Sequence, residues 1–415
     1  MAPHRQVRRD AALEAPASPE RAQRDGAVLA FAMFVFPAFQ GLMQTIVPLL
    51  LADLRAAESV IGAIQAIPGV AALLSGAPMA LLANTRWRRA ALLGSFALSL
   101  AASLGFLAAG SPLTLVIPQA LVGLASAGFY AQAMPSAFRL ASGERQERLQ
   151  GRLTMAQGLG FFSGPLLAGY LAGLRFAYAF GAAAALGVAG MLATWWLTPS
   201  QAIDASGGPR AVARSYGRLY HVLTRRPAVL LGAAFTFLNI GTILVMGGTF
   251  YLVYASTIGV SPFVASAFLS GREALGSAAR LAYVAISRRM GPVRVLGVGT
   301  LIGAAALAFL PQARGPLGLG AVALGTGIGF SLLPPAVNML SGASAAPEEQ
   351  SYAVTGLNVG NFAAQTVLAP LFGGLLTWLG YPAAYPLVAA IWAALALLLL
   401  RAGLRLGPKP PERTP

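Results

Sequence analysis

Glu273 is a carboxylate set deep in an apolar stretch, and it has an arginine beside it and another within reach. It falls in the run 261–287, with Arg272 adjoining and Arg280 seven residues on. Seven residues along a helix return to nearly the same face, about 10 Å further down the axis. Gly276 and Ser277 lie between them and are small enough to leave room for solvent or a ligand. An ionisable side chain in such surroundings is costly unless it is paired or faces a water-filled cavity. Two chemistries are therefore open. Glu273 pairs with an arginine and ties helices together, or it binds and releases a proton in alternation with a substrate. An anionic substrate held by Arg272 or Arg280, with Glu273 orienting them, is a variant of the second.

Neutral polar residues in other apolar runs supply candidate ligand-binding groups. Gln40 and Gln44 stand one helical turn apart just after Pro37, and Asn239 and Thr242 share another run. Asn358, Asn361 and Gln365 recur at i, i+3 and i+7, which puts them on one polar stripe. Such a stripe faces protein or water rather than lipid. Hydrogen bonds between helices, about 0.6 kcal/mol each on average, are one use for it, and a binding wall is the other. Phe36, Phe39, Tyr130, Phe161, Tyr251 and Tyr254 are read first as core or interface-belt residues, and second as an apolar or cation–π surface.

Other chemistries are excluded. The sequence has no G-x-S-x-G, H-E-x-x-H or G-x-x-x-x-G-K-[ST] pattern. Cysteine is absent, and the two histidines, His4 and His221, lie in polar segments. No catalytic residues, metal site or cofactor are expected, and without a phosphate-binding loop any transport must run on gradients.

The elements that position these residues follow from composition. Of 415 residues 57% are hydrophobic and 10% charged, with mean hydropathy +0.68, against about 25% charged in average soluble domains. Twelve apolar segments long enough to span a bilayer lie between residues 26 and 401. The expected fold is all-α and membrane-integral, with twelve transmembrane helices in two pseudo-symmetric bundles of six. Residues 1–25 read as a disordered tail, 26–198 and 228–401 as the bundles, 199–227 as a polar central loop and 402–415 as a second tail.

Arginine placement sets the expected orientation. With both termini and the central loop on the cytoplasmic side, 24 of the 29 Lys and Arg fall in cytoplasmic segments. Arg55, Arg175 and Arg314 lie outside, and Arg272 and Arg280 lie within a span. The net charge of +16 then faces anionic lipid headgroups rather than nucleic acid. The expected setting is the cell's inner (plasma) membrane, crossed many times.

One stretch carries a repeat. Residues 151–169 read GRLTMAQGLGFFSGPLLAG, and Gly160 with Gly164 forms a small-xxx-small pair that lets a neighbouring backbone approach. Pro165 removes a helical hydrogen bond and should kink the helix. Near residue 370 the order Ala369-Pro370-Leu-Phe-Gly373-Gly374 echoes Gly164-Pro165-Leu-Leu-Ala168-Gly169, as an internal duplication would. Gly151, Gly160, Gly164, Pro165 and Gly169, with Pro370 and Gly374, are thus expected to be hinge and packing positions.

With its six-plus-six split and basic central loop, the chain resembles the major facilitator superfamily over residues 26–401. The fifth-segment glycine pattern is similar to that of its drug:proton antiporter branch, with Ala168 where the pattern has glycine. A second motif follows segment two as Ala80-Leu-Leu-Ala-Asn84-Thr85-Arg86-Trp87-Arg88-Arg89, with Asn84 at the aspartate position and the pair Arg88-Arg89 kept. Ser287-Arg288-Arg289-Met290-Gly291 stands at the equivalent place in the second half, and Gln119 falls where the family often has arginine. The resemblance implies alternating access around a central site lined by Gln40, Gln44, Asn239, Thr242, Asn358, Asn361 and Gln365. It further implies a monomer that exports a small, largely apolar organic molecule against protons; Glu273, by elimination the one carboxylate deep in a span, is the expected proton-coupling residue. An anion or sugar transporter using Arg272 and Arg280 is the alternative; a receptor or scaffold is the non-transport reading.

Overall fold

The computed structural model describes residues 19–82, 87–140, 144–198, 209–344 and 350–406. Asn84 and the side chain of Arg280 lie outside that description. The first half consists of α1 (Pro19–Asp53), α2 (Glu58–Leu82), α3 (Arg88–Leu107), α4 (Val116–Leu140), α5 (Glu144–Leu174) and α6 (Phe176–Trp195). Helix α7 (Pro209–Arg225) occupies most of the interval expected to be a loop. It is polar and basic (PRAVARSYGRLYHVLTR), so a search for apolar runs passes over it. Helix α1 begins at Pro19, inside the stretch expected to be a tail. Proline suits the first helical turn, and Glu20 follows it there.

The second half begins with a composite span of α8 (Pro227–Ile240), the π-helical segment Gly241–Phe250 and α9 (Tyr251–Thr257). Then come α10 (Pro262–Leu281), α11 (Tyr283–Met290), α12 (Pro292–Ala308), α13 (Pro316–Ser331), α14 (Leu333–Ser344) and α15 (Gln350–Leu406). Gly380, at φ 70°, splits α15 into two arms. That backbone conformation suits glycine, which has no Cβ to clash. Gly360 of the first arm lies against Ala233, and Gly403 of the second approaches Leu231, so the arms run back along each other.

Among the described residues, nine stretches are long and apolar enough to cross a membrane on length and composition. One of these, Gly356–Arg405, contains both arms of α15. Two further helices of spanning length, α5 and α10, fall short of that apolarity: the charge-free part of α5 is diluted by glycines, a glutamine and Pro165, and α10 holds Arg272 and Glu273. Counted with them, the crossings number twelve. The end of the molecule holding Pro19, α7 and Leu406 is termed basal here, and the end holding residues 54–57 and 258–261 distal.

In a bilayer lipid tails are as apolar as the side chains, so close backbone approach does much of the packing. Gly160 lies against the Phe34 carbonyl and Gly164 against the Ala38 carbonyl, which seats α5 on α1. The second half repeats the device, with Gly360 against the Ala233 carbonyl seating the first arm of α15 on α8. Several buried serines are satisfied by their own helix backbone. Ser95, Ser99 and Ser103 of α3 each donate to the carbonyl four residues back.

The halves meet along two helix pairs, α2 with the first arm of α15 and α5 with α10. The distal contacts are made at backbone distance. Gly62 meets the Ala369 carbonyl, Gly373 meets the Glu58 carbonyl, and Gly169 meets Ser266. The Ser59 amide donates to Thr377 Oγ1 at 3.0 Å. Further toward the basal end, Gly76 and Gly151 have no atom within 4 Å of where a Cβ would stand. The distal end is closed.

Candidate functional site

Between the halves lies a cavity of about 40 Å³, room for little more than a water molecule. Its wall takes Gln40, Met43 and Gln44 from α1, Gln65 and Pro68 from α2, and Gln119, Val122 and Ser126 from α4. The second half contributes Leu244, Val245 and Thr249 from the π-helical segment, and Phe362, Gln365 and Ala369 from α15. Five amides and two hydroxyls alternate with apolar side chains, and none of these lining residues is charged.

Several of the amides are held in place. The Tyr130 hydroxyl donates to Gln40 Oε1 at 2.6 Å, while Gln40 Nε2 donates to Ser126 Oγ at 2.9 Å. Gln365 Nε2 donates to Asn361 Oδ1 at 2.9 Å. Gln65 Nε2 is buried without a hydrogen-bond partner. A buried donor left unmade costs about 1–3 kcal/mol, so Gln65 offers a ready contact to whatever enters.

The structure brings some of the expected site residues together and leaves others apart. Gln40, Gln44 and Gln365 line the cavity, whereas Asn239, Thr242, Asn358 and Asn361 are not among its lining residues. Thr242 is fully buried and donates to the Leu238 carbonyl at 2.8 Å. Asn361 acts one step back, through Gln365. Gln65, Gln119, Ser126 and Thr249 belong to the wall without having been named for it. Gln65 and Gln119 carried the same signal as Gln40, an amide in an apolar span. Ser126 and Thr249 carried none, because hydroxyls in helices commonly bond their own backbone.

Arg272 is not among the residues lining the cavity. Its Nη1 donates to the Gly247 carbonyl at 2.8 Å and to the Ile243 carbonyl at 3.2 Å. Both carbonyls belong to the π-helical segment, where the wider turn displaces carbonyls from ordinary i→i+4 pairing. Its Nε and Nη2 both reach Glu273 Oε1, at 3.2 and 3.1 Å. Gly327 of α13 makes room for the arginine stem, since a Cβ there would stand 2.8 Å from Arg272 Cγ. The Arg272 side chain is 9% exposed and that of Glu273 23%. Adjacent helix positions diverge by about 100°, yet the arginine curls back, so the pair sits on the path from α10 to the cavity wall.

The remaining expected positions are more scattered. Gly151 and Gly374 stand in open surroundings, while Pro165 lies against Gly41 and Pro370 close to Gly62. Arg88 is buried at the start of α3, and Arg89 reaches the backbone of Trp195. Phe36, Phe39 and Tyr251 are buried in the core, with Phe36 stacked on Phe129 at 4.1 Å between centroids. Tyr254 bonds the Pro311 and Ala313 carbonyls. Tyr130 alone of the named aromatics is shown supporting the wall. Among the described residues, no group of three or more His, Cys, Asp or Glu is placed to hold a metal ion.

A family model described as Major Facilitator Superfamily matches residues 29–354. No curated protein matches the chain. Among solved structures, a mutant of the nucleoside transporter NupG aligns with TM-score 0.71 and 15% identity, covering 93% of this chain and 99% of that one. A mutant of the peptide transporter POT aligns with TM-score 0.74 and 16% identity over 92% and 94%. A bacterial homolog to the human lysosomal transporter Spinster, solved inward-facing and unoccupied, aligns with TM-score 0.68 and 15% identity over 95% and 100%. At these identities the likeness is one of fold.

Proposed function

This chain belongs to the major facilitator superfamily, whose members are secondary transporters and not enzymes, and we propose that it exports a small, uncharged organic solute in exchange for protons. The observation that carries the reading is the cavity wall: five glutamine side chains drawn from α1, α2, α4 and α15, with no charged residue among those lining it. Amides donate and accept hydrogen bonds but cannot neutralise an ion, and a charge desolvated in such a cavity would be expensive. Polar and apolar side chains share the wall, which suits a mixed solute more than the largely apolar one implied by the resemblance. Export is supported by the antiporter-like glycine pattern of α5. With the basal end cytoplasmic, the closed distal end makes this an outward-closed state, and separating the halves at the basal end would enlarge the cavity to admit cargo.

Coupling runs through Glu273 in this reading. Its ion pair holds Arg272, and Arg272 holds the π-helical segment that contributes Leu244, Val245 and Thr249 to the wall. A proton on Glu273 removes the charge that draws Arg272 sideways, and so changes the support behind those three residues. An anionic cargo bound by Arg272 fits less well, since its guanidinium is already spent on Glu273 and two carbonyls.

Uphill transport into inverted membrane vesicles, with and without a pH gradient, tests the proposal. Glu273→Gln should abolish accumulation driven by ΔpH while downhill exchange persists. Undiminished accumulation by Glu273→Gln would remove Glu273 from the coupling.

A further inference from the structure

A second cleft opens on the basal surface, remote from the central cavity. It is about 400 Å³ and is formed by Arg21 and Arg24 at the start of α1, Arg89 at the start of α3, and Trp195, Trp196 and Thr198 at the end of α6. Three arginines line the cleft, and one of them, Arg24, lies near a carboxylate. Asp25 is 4% exposed and lies beneath the cleft, where its Oδ1 accepts from the Thr198 amide at 3.3 Å and from Thr198 Oγ1 at 3.1 Å. Arg24 Nη2 donates to Thr198 Oγ1 at 2.9 Å and stands 3.6 Å from Asp25. Arg89 donates to the Trp195 carbonyl and lies 5.1 Å from the centre of the Trp195 ring. Arg21 is exposed and has no hydrogen bond or ion pair among the described residues. Three arginines against one carboxylate leave the cleft a surplus of two positive charges.

The surroundings identify the anion. Trp195 and Trp196 are 64% and 68% exposed, and exposed indoles mark the level where headgroups meet acyl chains. Exposed apolar side chains continue from the cleft toward the bilayer: Phe31 is seven residues on from Arg24, on the same face of α1, and Leu192 precedes Trp195 by one turn. A free anion needs only the guanidiniums. A phosphate attached to acyl chains uses the indoles and the apolar track as well.

We propose that this cleft binds the phosphate of an anionic phospholipid from the leaflet at the basal end, with Arg21, Arg24 and Arg89 as its donors and the two indoles against its glycerol and upper chains. Such a lipid would tie the starts of α1 and α3 to the end of α6. It rests on none of the transport chemistry and on no choice of orientation.

Native mass spectrometry of the full chain in detergent tests it, with phosphatidylglycerol and phosphatidylcholine of equal chain length as probes. One phosphatidylglycerol should be retained about tenfold more tightly than phosphatidylcholine. Arg21→Glu changes an exposed side chain without touching the Asp25–Thr198 bonds, so it should leave folding intact and abolish that preference. Arg288→Gln with Arg289→Gln, an exposed basic pair elsewhere on the basal surface, should leave it unchanged. Equal retention of the two lipids, or an unchanged preference in Arg21→Glu, would overturn the proposal. Displacement of the bound lipid by millimolar glycerol 3-phosphate or inorganic phosphate would overturn it too, by showing a site for the free anion.

Discussion

The Arg272 guanidinium donates to the Gly247 carbonyl at 2.8 Å, joining α10 to the π-helical segment of the neighbouring span. The bond sits in a nearly dry setting, and charge-assisted hydrogen bonds are worth about 1.5–3 kcal/mol. Arg272 also neutralises Glu273, and a buried charge stripped of its partner is strongly destabilising. Arg272→Gln should therefore lower the thermal unfolding midpoint in detergent by several degrees, and Glu273→Gln by clearly less. Removing both charges together should recover part of the loss. Equal midpoints for wild type and Arg272→Gln would mean that the arginine does not brace the segment.

The small-residue contact between α5 and α1 predicts a sharp contrast between two glycines. A Cβ on Gly164 would strike the Ala38 carbonyl, whereas Gly374 has nothing within 4 Å. Gly164→Leu should cost at least the 1–3 kcal/mol typical of overpacking and should impair transport, while Gly374→Leu should do neither. Wild-type thermal stability in Gly164→Leu would contradict the contact.

Gln65 and Gln40 should separate affinity from stability. Gln65 Nε2 is buried and unpartnered, so Gln65→Leu removes an unmade donor and should leave the unfolding midpoint unchanged or raised. The lost contact to cargo should raise KM about fivefold, the size of one hydrogen bond. Gln40→Leu removes the acceptor of the Tyr130 hydroxyl and a donor to Ser126 and should lower the midpoint as well. A Gln65→Leu variant with unchanged KM would place the cargo elsewhere.

Orientation is open to direct labelling, because the chain contains no cysteine. Tyr220 of α7 and Ala57 of the loop between α1 and α2 are both exposed. Tyr220→Cys should resist a membrane-impermeant thiol reagent in intact cells and react after lysis. Ala57→Cys should react in intact cells. The opposite pattern would invert the topology.

Much of the fold was legible because lipid solvation imposes long apolar runs, and the glycines of α5 were readable because only small residues admit a neighbouring backbone. Helix α7 was not, since its sequence is polar and what marks it as a helix is its periodicity. The site was half legible. A glutamine in an apolar span announces itself, but sequence spacing cannot tell whether a side chain faces a cavity or an adjoining helix. Arg272 shows why. Its charge made it a candidate for binding cargo, and its partners are the carbonyls of a π-helix that nothing in GTILVMGGTF beyond its three glycines foretold.

Solute-driven proton movement in proteoliposomes tests the central claim most directly. Purified protein is reconstituted with an internal pH dye, and gradients of uncharged, anionic and cationic solutes are imposed in turn without a membrane potential. An uncharged solute rich in hydrogen-bonding groups should drive protons in the opposite direction, and Glu273→Gln should pass that solute with no pH change. A pH response evoked only by charged solutes, or one that survives in Glu273→Gln, would contradict the account.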